Sequence, residues 1–309
     1  MTVRLYLVGC LLVVLGGIVL SLGVLCVRGA SASDAWQYLF WRALAFAVVL
    51  GMVAAQRHSV SPFVQIRRLG AFAWVSVSAM VASQVCFIIA IKLGSTAEVF
   101  FLMSLAPMMA AVLARPLLGE RFGAQSVLAI AIALGGVAVM TGLNWTTDGP
   151  RLGSWEGEWL PRLLALATAF TFALYLLATR GARPADLDAA LVAVGIITAI
   201  VSAIMLLWHG VPFAASTTDT AFALLHGSAF LSIGLVLFAR GSRIVPGVTL
   251  AMLAQSETVA APIWTYLVLD ETTTPSVIAG GALIVVAVIM QASEGQHHSR
   301  AEQVANKKQ

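Results

Sequence analysis

Glu257 stands eleven residues into the apolar run 246–268, so a helix there sets its carboxylate near the middle of a hydrocarbon layer. A carboxylate facing lipid costs about 3 kcal/mol even on the lenient insertion scale, so this side chain must point into a bundle of helices. In such a bundle it would meet a substrate ammonium group or take part in proton coupling. The other reading is a carboxylate that satisfies donors between packed helices. Gln255 and Ser256 precede it, and Trp264 follows seven residues later on the same helical stripe. An acid beside an aromatic wall suits a zwitterion with an apolar side chain; Trp264 serves equally well as packing at the outer end.

Other polar residues interrupt other apolar runs. Thr168, Thr171 and Tyr175 recur at intervals of three and four, one polar stripe that either lines a cavity or bonds back to its own helix. Trp74, Ser78 and Gln84 share the run 70–91 without sharing one face, and His226 lies in the run 220–239 as a proton shuttle or a neutral packing residue. Arg42, one turn inside the run 37–55, either snorkels to the headgroups or pairs inside the bundle, with Glu98 as the candidate partner. Lys92, Glu98, Glu120 and Glu271 fall at turns or run ends and read, with Arg42, as gating or helix-end contacts. Pro107 and Pro262 sit inside runs, where each removes a helical hydrogen bond and favours a hinge.

The remaining chemistry is excluded by what the sequence lacks. It has no phosphate-cradling Gly-x-x-x-x-Gly-Lys-Ser/Thr loop, no dinucleotide fingerprint and no His-Glu-x-x-His pair. Cys10, Cys26 and Cys86 show no metal spacing and read as small core hydrophobes. No cofactor, metal or enzymatic activity is expected, and any transport should be secondary. The basic residues are scattered over turns, which argues against nucleic acid as a partner.

The elements that must position these residues follow from composition. Of the 309 residues 60% are hydrophobic and 10% charged, with a mean hydropathy of +0.94. Soluble domains carry about a quarter charged residues, so lipid must cover what polar surface cannot. Ten runs of spanning length are expected, at about 5–27, 37–55, 70–91, 96–117, 124–142, 160–179, 189–208, 220–239, 246–268 and 276–292. Many are rich in Val and Ile, yet lipid leaves each backbone N–H to be paired within its own segment, which dictates helices. The first run follows Arg4 in the manner of a signal peptide, but Leu5–Val27 is long for one, and it reads as a retained span. Trp36, Trp41, Trp155, Trp159 and Trp208 cluster near run ends, at headgroup level.

With a cytoplasmic N-terminus, thirteen Lys and Arg fall on inner segments and five on or beside outer ones, which places both termini in the cytoplasm. At a constant offset of 151 residues Phe87 aligns with Phe238, Lys92 with Arg243 and Glu120 with Glu271. Five spans per half would insert the halves in opposite senses, the inverted repeat common among secondary transporters. The expected fold is therefore an all-α polytopic membrane protein of ten helices in an inverted 5+5 repeat. Its units are residues 1–142, an extracytoplasmic connection 143–159, residues 160–292 and a polar tail 293–309.

Several short segments carry a resemblance. Phe40-Trp41-Arg42 opens the second run, Ala90-Ile91-Lys92 through Ala97 links the third and fourth, Leu105-Ala106-Pro107 lies mid-way in the fourth, and Gly119-Glu120-Arg121 follows it. Ala173-Leu174-Tyr175 through Arg180, Glu257-Thr258-Val259-Ala260-Ala261 and Asp270-Glu271 follow in order. Over about residues 5–292 the chain resembles the EamA-type carriers of the drug/metabolite transporter superfamily. It departs at Thr258, where the family often has proline, and at Asp270, where glycine is usual. The resemblance implies gradient-driven movement of small metabolites across a bacterial inner membrane, with amino-acid exporters, including aromatic ones, as the nearest branch. Sugar, sugar-phosphate or nucleotide-sugar carriage is the alternative, and an intramembrane enzyme using His226 and Glu257 a more distant one. A monomer or weak homodimer is expected.

Overall fold

In the computed structural model, residues 3–57, 62–118, 124–140, 143–146, 149–152, 159–183, 186–242, 244–245 and 247–306 are described. The first part comprises α1 (Val3–Gly29), α2 (Ala35–Arg57), the short α3 (Pro62–Ile66), α4 (Ala71–Leu93), α5 (Thr96–Met103), α6 (Ala106–Leu118) and α7 (Ala124–Met140). A two-stranded antiparallel hairpin follows, β1 (Leu143–Thr146) against β2 (Gly149–Leu152), with Leu143 opposite Leu152. The second part comprises α8 (Trp159–Gly181), α9 (Leu187–His209), α10 (Thr217–Leu225), α11 (Ser232–Ser242), α12 (Gly247–Leu269) and α13 (Pro275–Asn306). A π-helical turn, His226–Leu231, joins α10 to α11.

The chain is an all-α polytopic membrane protein, but the expected ten spans in an inverted 5+5 repeat are not what the described residues give. Seven helices are long and apolar enough to cross a membrane: Arg4–Gly29, Ala35–Gln56, Ala71–Leu93, Thr96–Ala114, Trp159–Gly181, Leu187–His209 and Thr217–Ser242. Two further apolar helices, Val127–Met140 and Pro275–Met290, are shorter. At 1.5 Å per residue each apolar stretch covers only about 20–25 Å, less than the ~30 Å of a hydrocarbon core, and α13 runs on past Met290 as a polar helix to Asn306. The even count that placed both termini in the cytoplasm and opposed the two halves falls with it. Hydropathy read along the chain takes a helix of marginal length as a full one, and the third expected run outside the seven, α12, is 23 residues long but carries Gln255, Ser256, Glu257 and Thr258 at its middle.

Two of the seven are interrupted where backbone chemistry demands it. The run expected at 96–117 breaks into α5 and α6 at Ser104-Leu105, just before Pro107, whose ring denies the preceding turn its helical hydrogen bond. Leu105 N–H instead closes a tighter turn onto Leu102 O at 3.2 Å. Pro262, by contrast, lies inside an unbroken α12. The second interruption is the π turn, where Ser232 Oγ donates to Gly227 O at 2.7 Å across the extra residue.

The main pairings are α4 with α8, α7 with α13, α2 with α9, and α1 with both α11 and α12. The α7–α13 crossing needs small residues, because a Cβ on Gly136 would lie 2.7 Å from Gly280 O. Gly135, one residue away, has nothing within 4 Å and faces out. The largest buried cluster, with Tyr38, Phe100, Ile88 and Ile284, lies where α1, α2, α4, α5 and α13 meet.

Candidate functional site

Two polar constellations stand out in the bundle, one at an end and one inside it. At the end, Arg28 closes α1 and Glu271 follows α12. Arg28 Nη2 lies 2.9 Å from Glu271 Oε1 and also donates to Gly94 O at 2.6 Å. Thr96 N and Thr96 Oγ1 donate to the two oxygens of Glu271 at 2.8 and 2.9 Å, so the start of α5 is drawn into the same knot. Glu271 reaches this place because Asp270 takes a left-handed φ of 52° and Glu271 N–H turns back onto Thr265 O at 3.2 Å. Six-to-one bonding of this kind ends helices at a residue that is usually glycine.

A second tie stands beside it. Lys92, at the end of α4, donates to Ala30 O and, at 3.0 Å, to Ser33 O, and lies 5.3 Å from the centroid of the Tyr38 ring. Ser33 N–H donates to Asp219 Oδ2 at 2.5 Å, and Asp219 is seated by Ser216, the N-cap of α10. Arg162 of α8 pairs with Glu98 of α5 at 3.0 Å. Lys92, Glu98 and Glu271 thus all engage partners at this one end. Glu120 lies outside the described residues.

Arg42 is not at this end. It is 3% exposed, neither snorkels nor pairs with Glu98, and binds two neutral groups. Its Nη1 donates to Gln84 Oε1 at 2.6 Å and its Nε to His226 Nε2 at 3.4 Å. An accepting Nε2 leaves the neutral imidazole proton on Nδ1, which then donates to Tyr38 Oη at 2.8 Å. The π turn presses its backbone onto α2 here, since any Cβ on Gly227 would meet Arg42 O. Gly23 of α1 leaves room for the ring, because a Cβ there would come within 2.7 Å of His226 Cδ2.

Glu257 sits at the middle of α12, half-buried, and forms no hydrogen bond or ion pair among the described residues. Its neighbours Gln255 Oε1 and Ser256 Oγ are buried without partners among the described residues. Trp264 Nε1 donates to Ser21 Oγ of α1 at 3.1 Å, about ten ångströms further along the helix at 1.5 Å per residue. Gly17 lets α1 approach α12 closely at this level, since a Cβ there would lie 3.2 Å from Glu257 N.

The structure therefore gathers Gln84 and His226 with Arg42, while Gln255, Glu257 and Trp264 share α12 without a contact among them. It does not gather the rest. Thr168 Oγ1 bonds back to Leu164 O at 2.8 Å and Thr171 Oγ1 to Ala167 O at 2.7 Å, which spends both hydroxyls on their own helix. Tyr175 stacks on Phe172 at 5.5 Å. Trp74 is exposed, and Ser78 Oγ bonds to Trp74 O on the same outward side. Tyr38, Arg28, Thr96 and Ser21 were not among the expected residues; the four-residue spacing of Tyr38 and Arg42, which stacks them on one helical face, was the available signal.

Among the described residues no group of three or more His, Cys, Asp or Glu is placed to hold a metal ion. A cleft of about 310 Å³ lies away from both constellations, between α2, α9 and α11, with Asp188 and Arg240 as its charged walls.

Residues 7–142 match the profile of the EamA-like transporter family, a family of membrane transporters and not of enzymes. No curated protein matches the sequence. A solved structure described only as the crystal structure of a protein superposes with a TM-score of 0.64 at 17% identity, covering 92% of this chain and 96% of that one. It has the same fold.

Proposed function

We propose, taking the EamA-like assignment of residues 7–142 as the premise, that this multi-pass membrane protein is a secondary exporter of apolar or aromatic amino acids or similar small metabolites. The observation that carries this reading is Glu257, a carboxylate at the middle of α12 with no partner among the described residues. A group so placed is costly unless it serves a ligand ammonium or a transported proton. Trp264, on the same stripe about ten ångströms along the helix, offers an apolar wall for the far end of a solute held there.

Access from the two sides in turn is supported by the knot of Arg28, Thr96 and Glu271, which closes one end and is made of bonds that can be exchanged for water. We read residues 160–292 as a second EamA-like unit and the location as a bacterial inner membrane. The absence of any phosphate-cradling loop in the sequence leaves an ion gradient as the energy source, with Glu257 as the proton-coupling residue. A sugar-phosphate or nucleotide-sugar substrate fits less well, because its dianionic groups call for several cations and Arg42 is the only Lys or Arg in its buried layer among the described residues.

Purified protein in proteoliposomes tests this reading. Efflux of phenylalanine or leucine that responds to an imposed pH gradient is expected, with no movement of glucose 6-phosphate. Movement of the phosphosugar without the amino acids contradicts it.

A further inference from the structure

The layer formed by Arg42, Gln84, His226 and Tyr38 has more donors than acceptors. Arg42 is 3% exposed, Gln84 5%, His226 4% and Tyr38 1%, so water does not make up the difference freely. A guanidinium carries five N–H donors, and among the described residues Arg42 forms two side-chain hydrogen bonds, both to neutral groups. No carboxylate lies within ion-pair distance of it among those residues. Gln84 spends Oε1 on Arg42, which fixes the orientation of its amide and leaves Nε2 buried with no partner. His226 Nε2, the other acceptor, is already used.

A buried cation without a counter-ion, beside an amide whose N–H groups point at nothing, is an unfavourable arrangement for a purely structural core. What it lacks is an acceptor-rich anion. The planar fork of a guanidinium matches a carboxylate in two parallel hydrogen bonds, and the Gln84 N–H group supplies a third. Lys92, over the Tyr38 ring, is held by Ala30 O and Ser33 O, and Arg42 is the one Lys or Arg buried among the described residues, so the layer suits a monoanion and not a phosphate dianion. The π turn is the device that brings His226 to Arg42, and such turns inside helices recur at functional sites.

We propose that Arg42, held in place by His226 and assisted by Gln84 Nε2, binds the carboxylate of the transported solute. The inference rests on the transporter reading above and deepens it, assigning the acid end of the substrate to α2 and α4 while Glu257 on α12 takes the other end.

Four compounds of one shape separate the two ends: phenylalanine, phenylalaninamide, phenethylamine and 3-phenylpropanoate, each titrated against the thermal stability of the purified full chain at constant chloride. The two acids are expected to raise Tm, with the amide and the amine about tenfold or more weaker than phenylalanine. Arg42→Gln should abolish the preference for acids. Because that variant leaves a buried layer rearranged and can fail to fold, Gln84→Glu gives a second reading: it supplies the missing counter-ion from within, and is expected to raise the Tm of the unliganded protein while removing stabilisation by both acids. Equal stabilisation by phenylalanine and its amide, no stabilisation by either acid, a response to chloride concentration in place of the acids, or wild-type acid binding by Gln84→Glu would each overturn the proposal. If 3-phenylpropanoate binds in an Arg42-dependent way and phenylalanine does not, the carboxylate site stands and the amino-acid assignment falls.

Discussion

Arg28 Nη2 and Glu271 Oε1 lie 2.9 Å apart across 243 positions of sequence, tying the end of α1 to the end of α12. Both side chains keep about a fifth of their surface, 23% and 22%, so solvent screens part of the attraction. Thr96 binds the same carboxylate through its N–H and its hydroxyl, which makes the three residues one unit. A double-mutant cycle of Arg28→Met and Glu271→Gln should return a coupling of about 0.5–2 kcal/mol from thermal unfolding, with either change loosening this end. Strict additivity contradicts the knot.

Asp270 is exposed and holds a φ of 52°, a backbone conformation that glycine adopts without cost. Asp270→Gly should therefore stabilise the protein by about 0.5–1 kcal/mol, and Asp270→Val should destabilise it by about 1–2 kcal/mol. Unfolding midpoints of the two variants check both signs.

Much of this was legible in the sequence, and the misses have physical reasons. Composition alone required lipid around helices, and the run expected at 246–268 is one unbroken helix, α12, with Glu257 at its middle. Pro107 marks the neighbourhood of the break at Ser104, but hydropathy sees no hydrogen bonds, so it reads the π turn at His226 as continuous helix. A run beginning at 37 sets Arg42 one turn from an interface; α2 begins at Ala35, and His226 of the π turn and Gln84 of α4 meet the guanidinium inside the bundle. Glu98 found Arg162 as its partner and Arg28 found Glu271, pairings set by packing between helices distant in the chain.

The α7–α13 crossing makes two adjacent glycines behave oppositely. A Cβ on Gly136 would meet Gly280 O at 2.7 Å and Ile284 Cγ1 at 3.0 Å, whereas Gly135 has nothing within 4 Å. Gly136→Ala should destabilise by about 1–3 kcal/mol through overpacking. Gly135→Ala should stabilise by about 0.5–1 kcal/mol through helix propensity. Equal effects in a thermal-shift comparison would place the crossing elsewhere.

The most direct measurement concerns Glu257, the acid in the middle of α12 with no partner among the described residues. Glu257→Gln keeps the shape of the side chain and removes its charge and its proton chemistry. At matched amounts of folded, membrane-inserted protein, amino-acid efflux from proteoliposomes should fall by about tenfold or more in that variant, with its thermal stability kept or raised. Efflux at the wild-type rate would show that Glu257 is a packing residue and contradict the account.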